Sequence, residues 1–423
     1  GVVIDLNGQT ISNALTLYGD GIASAGALIN SNSGATGTVS GNITLGSAVT
    51  INATNNLTST GKITGAFGLT ETGTGTLTLG KSGTNSDYSG GTTVNGGTLK
   101  AGYSNQPFGT GAVVETSSGG VVIDLNGQTI SNALTLYSAS SPTIYALTSS
   151  ATGGIQQTGV VTLGSAVMIG LGASKTMTIN GVIADTNGYT LTINKAGDTG
   201  TVIFGGANTY TGATTVNAGT LTVTGSGTLG NTSSLLTISS ATLDLQNALT
   251  IGSLSMSGTS PAITNTTGTS SLVVNGTSTL AGNITTSGAQ TYTGAVTLGA
   301  ASVLTTGSSA GNILFSSTVS GANTLSTTTT GGTTFTGAVG GTPLTGLTIS
   351  TATLTAHAIT LASSSALSVT NSSTGSIDGI IAGTSVTLTK AGAGILTLSG
   401  ANTYGGATTV NAGTLTVTGS GTL

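Results

Sequence analysis

The sequence predicts an all-β protein, a rod-shaped parallel β-solenoid of roughly 20 coils and, at an inter-strand spacing of about 4.8 Å, a length near 100 Å. Three observations carry that expectation: a composition that starves helices, internal repeats, and a short period of alternating apolar and hydroxyl residues. Of 423 residues, 71 are Gly and 90 are Thr, and both are poor in helix interiors. Within the repeats, runs such as Thr76-Leu77-Thr78-Leu79 and Thr220-Leu221-Thr222-Val223 alternate with period two, so one face is in and one is out.

Composition also excludes classes. Charged residues make up only 4% of the chain and aromatics 3%, with no Cys, no Trp, no Arg and one His. There is no Gly-X-Y period and only 4 Pro, which rules out collagen. A mean hydropathy of +0.35 and a net charge of −4 argue against disorder, which pairs low hydrophobicity with high charge. Six scattered Lys cannot build the phosphate-neutralising patch that nucleic acid needs. No apolar run approaches the roughly 18 residues of a spanning helix. Without Cys there is neither a disulfide framework nor a thiolate metal site, and the absence fits an exported chain. Residue 1 is Gly and no signal peptide is present, so the chain reads as a segment of something longer or a processed form.

The repeats come in long copies. Gly1–Tyr18 recurs unchanged as Gly120–Tyr137, with a looser version around Leu243–Leu249. Ala207–Leu229 returns almost intact at Ala401–Leu423, and a diverged copy covers Asn85–Leu99. Fragments survive at Thr291–Ala295 and Thr334–Ala338. Successive units of one continuous solenoid therefore run over 1–119, 120–229 and 230–423. Inside them, Gly75-Thr76-Leu77, Gly97-Thr98-Leu99 and Gly120-Val121-Val122 follow at spacings of 22 and 23 residues. Each coil cannot bury its apolar face alone; stacking makes the core continuous. Gly permits the corners. Thr suits strands and can pair with Thr of the next coil. Asn95, Asn217 and Asn411, at matching places in three copies, are expected in left-handed turns or in a ladder.

The blocks Gly206–Leu221 and Gly400-Ala401-Asn402-Thr403-Tyr404-Gly405-Gly406-Ala407-Thr408-Thr409-Val410-Asn411-Ala412-Gly413-Thr414-Leu415 resemble the passenger-associated repeat of bacterial autotransporters. The segments around Asp5-Leu6-Asn7-Gly8 and Asp124-Leu125-Asn126-Gly127 are similar to the coil that often follows it. The resemblance implies a right-handed β-helix, export across a Gram-negative envelope, and an outer-surface or extracellular location. It implies no particular activity. The family's C-terminal membrane barrel is not visible in these 423 residues.

Chemical motifs are few. Gly75–Ser82, with Lys81 and Ser82 last, spells a phosphate-loop pattern, but the intervening residues are strand-like and no helix pattern follows. Gly225–Gly230 spells a dinucleotide-loop pattern with the same defect. Gly307-Ser308-Ser309-Ala310-Gly311 spells a nucleophile elbow, yet the one His, His357, comes with no acid between it and Ser309. His357 reads as an exposed strand residue, and one His is too few for a metal site. Carboxylates are the groups a glycan-cleaving β-helix would use. Stacking could bring Asp5 near Asp20, or Glu71 near Asp87. The recurrence of Asp5 as Asp124 points instead to a turn or hydrogen-bonding role. Tyr88, Tyr210 and Tyr404 recur at one place in three copies; they either cover a loop against its coil or stack on sugar rings. Eight Asn-x-Ser/Thr sequons, Asn42, Asn56 and Asn283 among them, are what a Thr-rich chain produces by chance.

The expected function is a non-catalytic structural surface protein without cofactor or metal, an adhesin stalk or filament touching glycans or other copies of itself. The alternative is a glycan-active lyase or hydrolase on a β-helix, which a groove with clustered carboxylates would favour. Both ends of the chain lie inside repeats without a capping segment. Unpaired strand edges template further pairing, so the chain is expected to continue end to end, in a longer polypeptide or by subunit stacking.

Overall fold

Leu57, Leu77, Leu99, Ile123, Leu147, Ile169 and Ile193 stand one above another, each registered on the next strand and each fully buried. That column is what the Leu-every-second-residue pattern builds when strands from successive coils pair in parallel. The same strands turn Thr58, Thr78, Lys100, Asp124 and Thr148 to the opposite face. The computed structural model describes residues 1–423 except 81–82, 103–105, 117–119, 138–143, 152–155, 158, 173 and 308–310. It is all-β, a parallel β-solenoid of about 19 turns. A three-residue 3-10 turn at Ile22–Ser24 is the one helical element among the described residues.

The chain packs as two units. The first holds Gly1–Ala213, Ala218–Leu221 and Ser226–Gly230; the second holds Thr214–Asn217, Thr222–Gly225 and Asn231–Leu423. The repeat boundary at 119/120 falls inside the first. In the first unit one sheet passes through Leu69–Glu71, Thr92–Val94, Val113–Glu115 and Leu134–Leu136. A second passes through Leu57–Ser59, Thr76–Leu79, Thr98–Ala101 and Val122–Asp124. The second unit winds three strands per coil, and a nine-stranded sheet from Ala248–Ile251 to Thr414–Val417 forms one of its sides. Its core includes stacked rings of Tyr292, Phe315 and Phe335, with centroids 5.2 and 4.8 Å apart.

The coil length varies, and this corrects one alignment. Matching Gly97 to Gly120 sets Leu99 against Val122. The structure sets Leu99 against Ile123, 24 residues on. A one-residue slip would exchange the two faces of the strand, and Ile123, not Val122, is the fully buried partner.

The turn reading is corrected as well. Asn95, Asn217 and Asn411 are not left-handed. The glycine two residues later is: Gly97, Gly219 and Gly413 have φ of 59°, 61° and 71°. Glycine takes that conformation without the Cβ clash that Asn would have to bear. Among the described residues the left-handed Asn are Asn7 and Asn126, φ 46° and 45°, in the repeated Asp-Leu-Asn-Gly segments, and Asn194, φ 56°.

Candidate functional site

The sequence-selected tyrosines point into the solenoid. Tyr88 and Tyr210 are fully buried and Tyr404 is 7% exposed. The Tyr88 hydroxyl lies 2.7 Å from Thr92 Oγ1, and Tyr404 pairs with Thr408 at the same distance. A phenol drawn into an apolar core needs such a partner. No sugar ring can reach the faces of Tyr88 and Tyr210, so the stacking alternative fails on burial.

A residue two places before each tyrosine carries a role the sequence reading missed. Asn208 Oδ1 accepts the N–H of Ile183 at 2.8 Å while its Nδ2 donates to the Thr228 carbonyl at 2.7 Å. Asn402 repeats the arrangement with Ile381 and Thr422, both at 2.8 Å. In the diverged copy Ser86 Oγ accepts from Ile63 N–H at 3.2 Å. One short side chain thus joins its own coil to the coils before and after, where the corner leaves backbone groups without a ladder partner. The signal was present as the repeated Ala-Asn-Thr-Tyr, but tyrosine drew the attention.

The equivalent aspartates reach one coil forward. Asp5 Oδ1 accepts from Asn7 N–H at 2.9 Å and Ser31 N–H at 3.0 Å. Asp124 Oδ1 accepts from Asn126 N–H at 2.9 Å and Ser150 N–H at 2.8 Å, and its Oδ2 from Ser150 Oγ at 2.5 Å. Asp244 does likewise with Thr266, whose N–H and Oγ1 lie 2.9 and 2.7 Å away. Hydrogen bonds from Ser31, its side chain first, hold the Asp5 carboxyl below the usual carboxylate range. Asn95 and Asn411 are exposed and Asn217 half-buried at their turns.

Neither proposed acid pair faces across a groove. Asp20 accepts from Ser24 Oγ at 2.6 Å. Asp87 is bound to Lys62 Nζ at 2.6 Å, whereas Glu71 lies wholly inside. Glu71 Oε1 accepts from Gly73 N–H at 2.6 Å and Ala53 N–H at 3.2 Å. Burial pushes its carboxyl up to about 7 against those two bonds. Glu115 is also fully buried; one bond from Tyr137 N–H at 2.7 Å does not offset a burial that raises it to about 9.

His357 is exposed just beyond strand Thr353–Ala356, its Nδ1 2.5 Å from Asp378 Oδ1 on the next coil. Lys81 and Ser82 of the phosphate-loop pattern lie outside the described residues, as do Ser308, Ser309 and Ala310 of the elbow pattern; Thr76–Leu79 is a strand. Gly225–Gly230 contains no helix or strand. No cluster of three metal-ligating side chains occurs among the described residues.

A surface depression lies on the first unit, over the outward face of the second sheet described above. It is a groove of about 460 Å³ lined by Asn56, Thr58, Thr76, Thr78, Thr98, Lys100 and Asp124 among others. At one end Lys100 Nζ donates to Ser150 Oγ at 2.8 Å and stands 3.6 Å from Asp124 Oδ2; Lys175 Nζ donates to the Ser150 carbonyl at 2.8 Å. Composition had shown these lysines only as scattered.

Residues 69–101, 194–223 and 388–417 match the family model of the passenger-associated-transport-repeat, about a fifth of the chain in three separate copies. Each match contains one of the tyrosine-bearing blocks or its diverged form. The chain is also similar to the adhesin BmaC autotransporter of Brucella suis biovar 1 (strain 1330), 38% identical over 122 residues. That stretch is 29% of this chain and 3% of the adhesin, so the chain spans a small fraction of the relative's length. No solved structure matches the chain.

Proposed function

We propose that this chain is part of an autotransporter passenger, a non-catalytic, adhesin-like β-solenoid displayed on or released from the outer surface of a Gram-negative bacterium. The observation that carries the reading is the passenger repeat itself, matched three times, with the Ile–Asn clamp at 2.8 Å in two of the copies. Similarity to an adhesin autotransporter supports the surface role. The lyase or hydrolase alternative is disfavoured by how the acids are spent: Glu71 and Glu115 inside the core, Asp87 on Lys62, Asp5, Asp124 and Asp244 on the next coil.

The test is made on cells expressing the full-length protein. Extracellular protease should strip the chain from intact bacteria, and deletion of its gene should lower attachment to matrix-coated wells. A protease-shielded chain, or release of unsaturated uronides from pectin-like polymers, would overturn the reading. Self-assembly is the finer part. We infer that copies stack end to end, because coils of this solenoid pair edge to edge and strand edges template further pairing. Sedimentation of the purified chain at rising concentration should then show growing species; a fixed monomer would refute stacking.

A further inference from the structure

We propose that the groove over Thr58, Thr76, Thr78 and Thr98 binds a linear acidic glycan, with one sugar carboxylate seated at Lys100 and Lys175. The proposal rests on the adhesin reading for its purpose, but its argument is geometric. Thr58 and Thr78 lie in one outward column and Thr76 and Thr98 in the next. The hydroxyls therefore repeat at the coil spacing of about 4.8 Å, close to the length of one sugar ring. None of these four Oγ atoms has a hydrogen-bond partner among the described residues. By contrast Thr148, further along the column, donates to the Gly170 carbonyl at 2.8 Å. A row of half-buried hydroxyls without protein partners suits a ligand that is itself a row of hydroxyls.

Charge selects the acidic class. The chain as a whole is acidic, net −4, yet two of its six lysines converge on Ser150 at one end of this groove. Asp124 cancels one of them. Its carboxylate is already bound by Asn126 and Ser150, which leaves it a positioning residue for Lys100 and no free acid for cleaving glycosides. The remaining positive charge is that of Lys175, which adjoins the groove's Lys100 end through Ser150, where a carboxylate gains a charge-assisted hydrogen bond. Among the described residues that line the groove none is aromatic, so recognition proceeds by hydrogen bonds and charge.

The purified chain is titrated with polygalacturonate and, separately, with neutral dextran, at low and high salt. Wild type should bind polygalacturonate, prefer it to dextran, and release it as salt rises. Lys175→Ala should weaken binding about tenfold, the loss of one charge-assisted hydrogen bond. Thr78→Val, which keeps the strand and its shape, should weaken it several-fold, with the thermal midpoint of both variants unchanged. Equal binding of the two polymers, or variants that bind as wild type does, would overturn the proposal. Attachment of protein-coated beads to matrix-coated wells is scored alongside. Attachment that persists through these failures leaves the adhesin reading standing without the groove. Polygalacturonate binding without attachment leaves the groove standing without that reading.

Discussion

Glu71 and Glu115 face the core of the first unit from strands on either side of the same residue, both in register with Val94. Two carboxyls in one apolar column, with one strand between them, each keep an oxygen without a hydrogen-bond partner: Oε2 of Glu71 and Oε1 of Glu115. The low dielectric there disfavours the charged forms.

A pH dependence follows. Both carboxyls are raised in the folded state, to about 7 and about 9, from 4.5. The folded chain then keeps protons that the unfolded chain releases. Stability is greatest below the unfolded value, falls as pH climbs from about 4.5, and levels above the folded values. Glu71 acts up to about 7 and Glu115 up to about 9, each costing roughly 1.4 kcal/mol per pH unit within its window. Hydrogen exchange of strands Leu69–Glu71 and Val113–Glu115 should slow on acidification from pH 9 to 5, after correction for intrinsic rates. Glu115→Gln should abolish the change above pH 7 and stabilise the unit there. A wild-type profile that is flat, or rises with pH, refutes the assignment.

The Asn clamp predicts a graded series. Asn208→Ala leaves the Ile183 N–H and the Thr228 carbonyl without their partner, about 2–4 kcal/mol for two buried backbone groups. Asn208→Ser should cost less, because Ser86 already receives Ile63 in the first copy. Denaturant midpoints of the two variants decide it; equal midpoints would show that the acceptor half of the clamp contributes nothing.

The architecture was legible because period two and a period near 22 are long-range signals that many residues repeat. The alternation Thr76-Leu77-Thr78-Leu79 marks by itself which side is inside. What the sequence hid were consequences of register. Ile123 rather than Val122 falls under Leu99, and nothing in the composition marks that register. The groove was hidden for the same reason. Lys100 and Lys175 are 75 residues apart in the chain, and only the stacking of coils brings both to Ser150. The burial of Glu71 and Glu115 was not legible either, since carboxylates are seldom buried without a partner. Asn95, Asn217 and Asn411 are expected by residue type in left-handed turns or in a ladder, whereas the positive φ belongs to the glycines two residues on.

Tyr88→Phe tests the tyrosine position in isolation. The hydroxyl lost is bonded to Thr92 Oγ1, which keeps only a longer bond to the Phe108 carbonyl at 3.4 Å. The cost should be about 1 kcal/mol, against about 3–5 for Tyr88→Ala, which opens a cavity in the core. Glycan binding should be untouched by Tyr88→Phe, since the ring is sealed. A loss of binding at unchanged stability would return the tyrosines to the ligand site.

Gly61 tests why glycine is so abundant. An added Cβ there would run into the backbone carbonyl of Gly41 on the preceding coil. Neither atom is the end of a flexible side chain, so the two coils must separate locally and strain the bond from Lys62 N–H to Asn42 Oδ1 beside them, 3.1 Å long. Gly61→Ala should therefore cost on the order of 2–3 kcal/mol, as overpacking against rigid neighbours does. Gly172 is the control. Among the described residues nothing lies near its Cβ position, and its backbone is not left-handed, so Gly172→Ala should be neutral or stabilise by about 0.4–1 kcal/mol through the unfolded chain. Thermal midpoints that move alike for both substitutions would mean that glycine serves flexibility throughout this solenoid; midpoints that move apart would mean that it serves the close approach of coils.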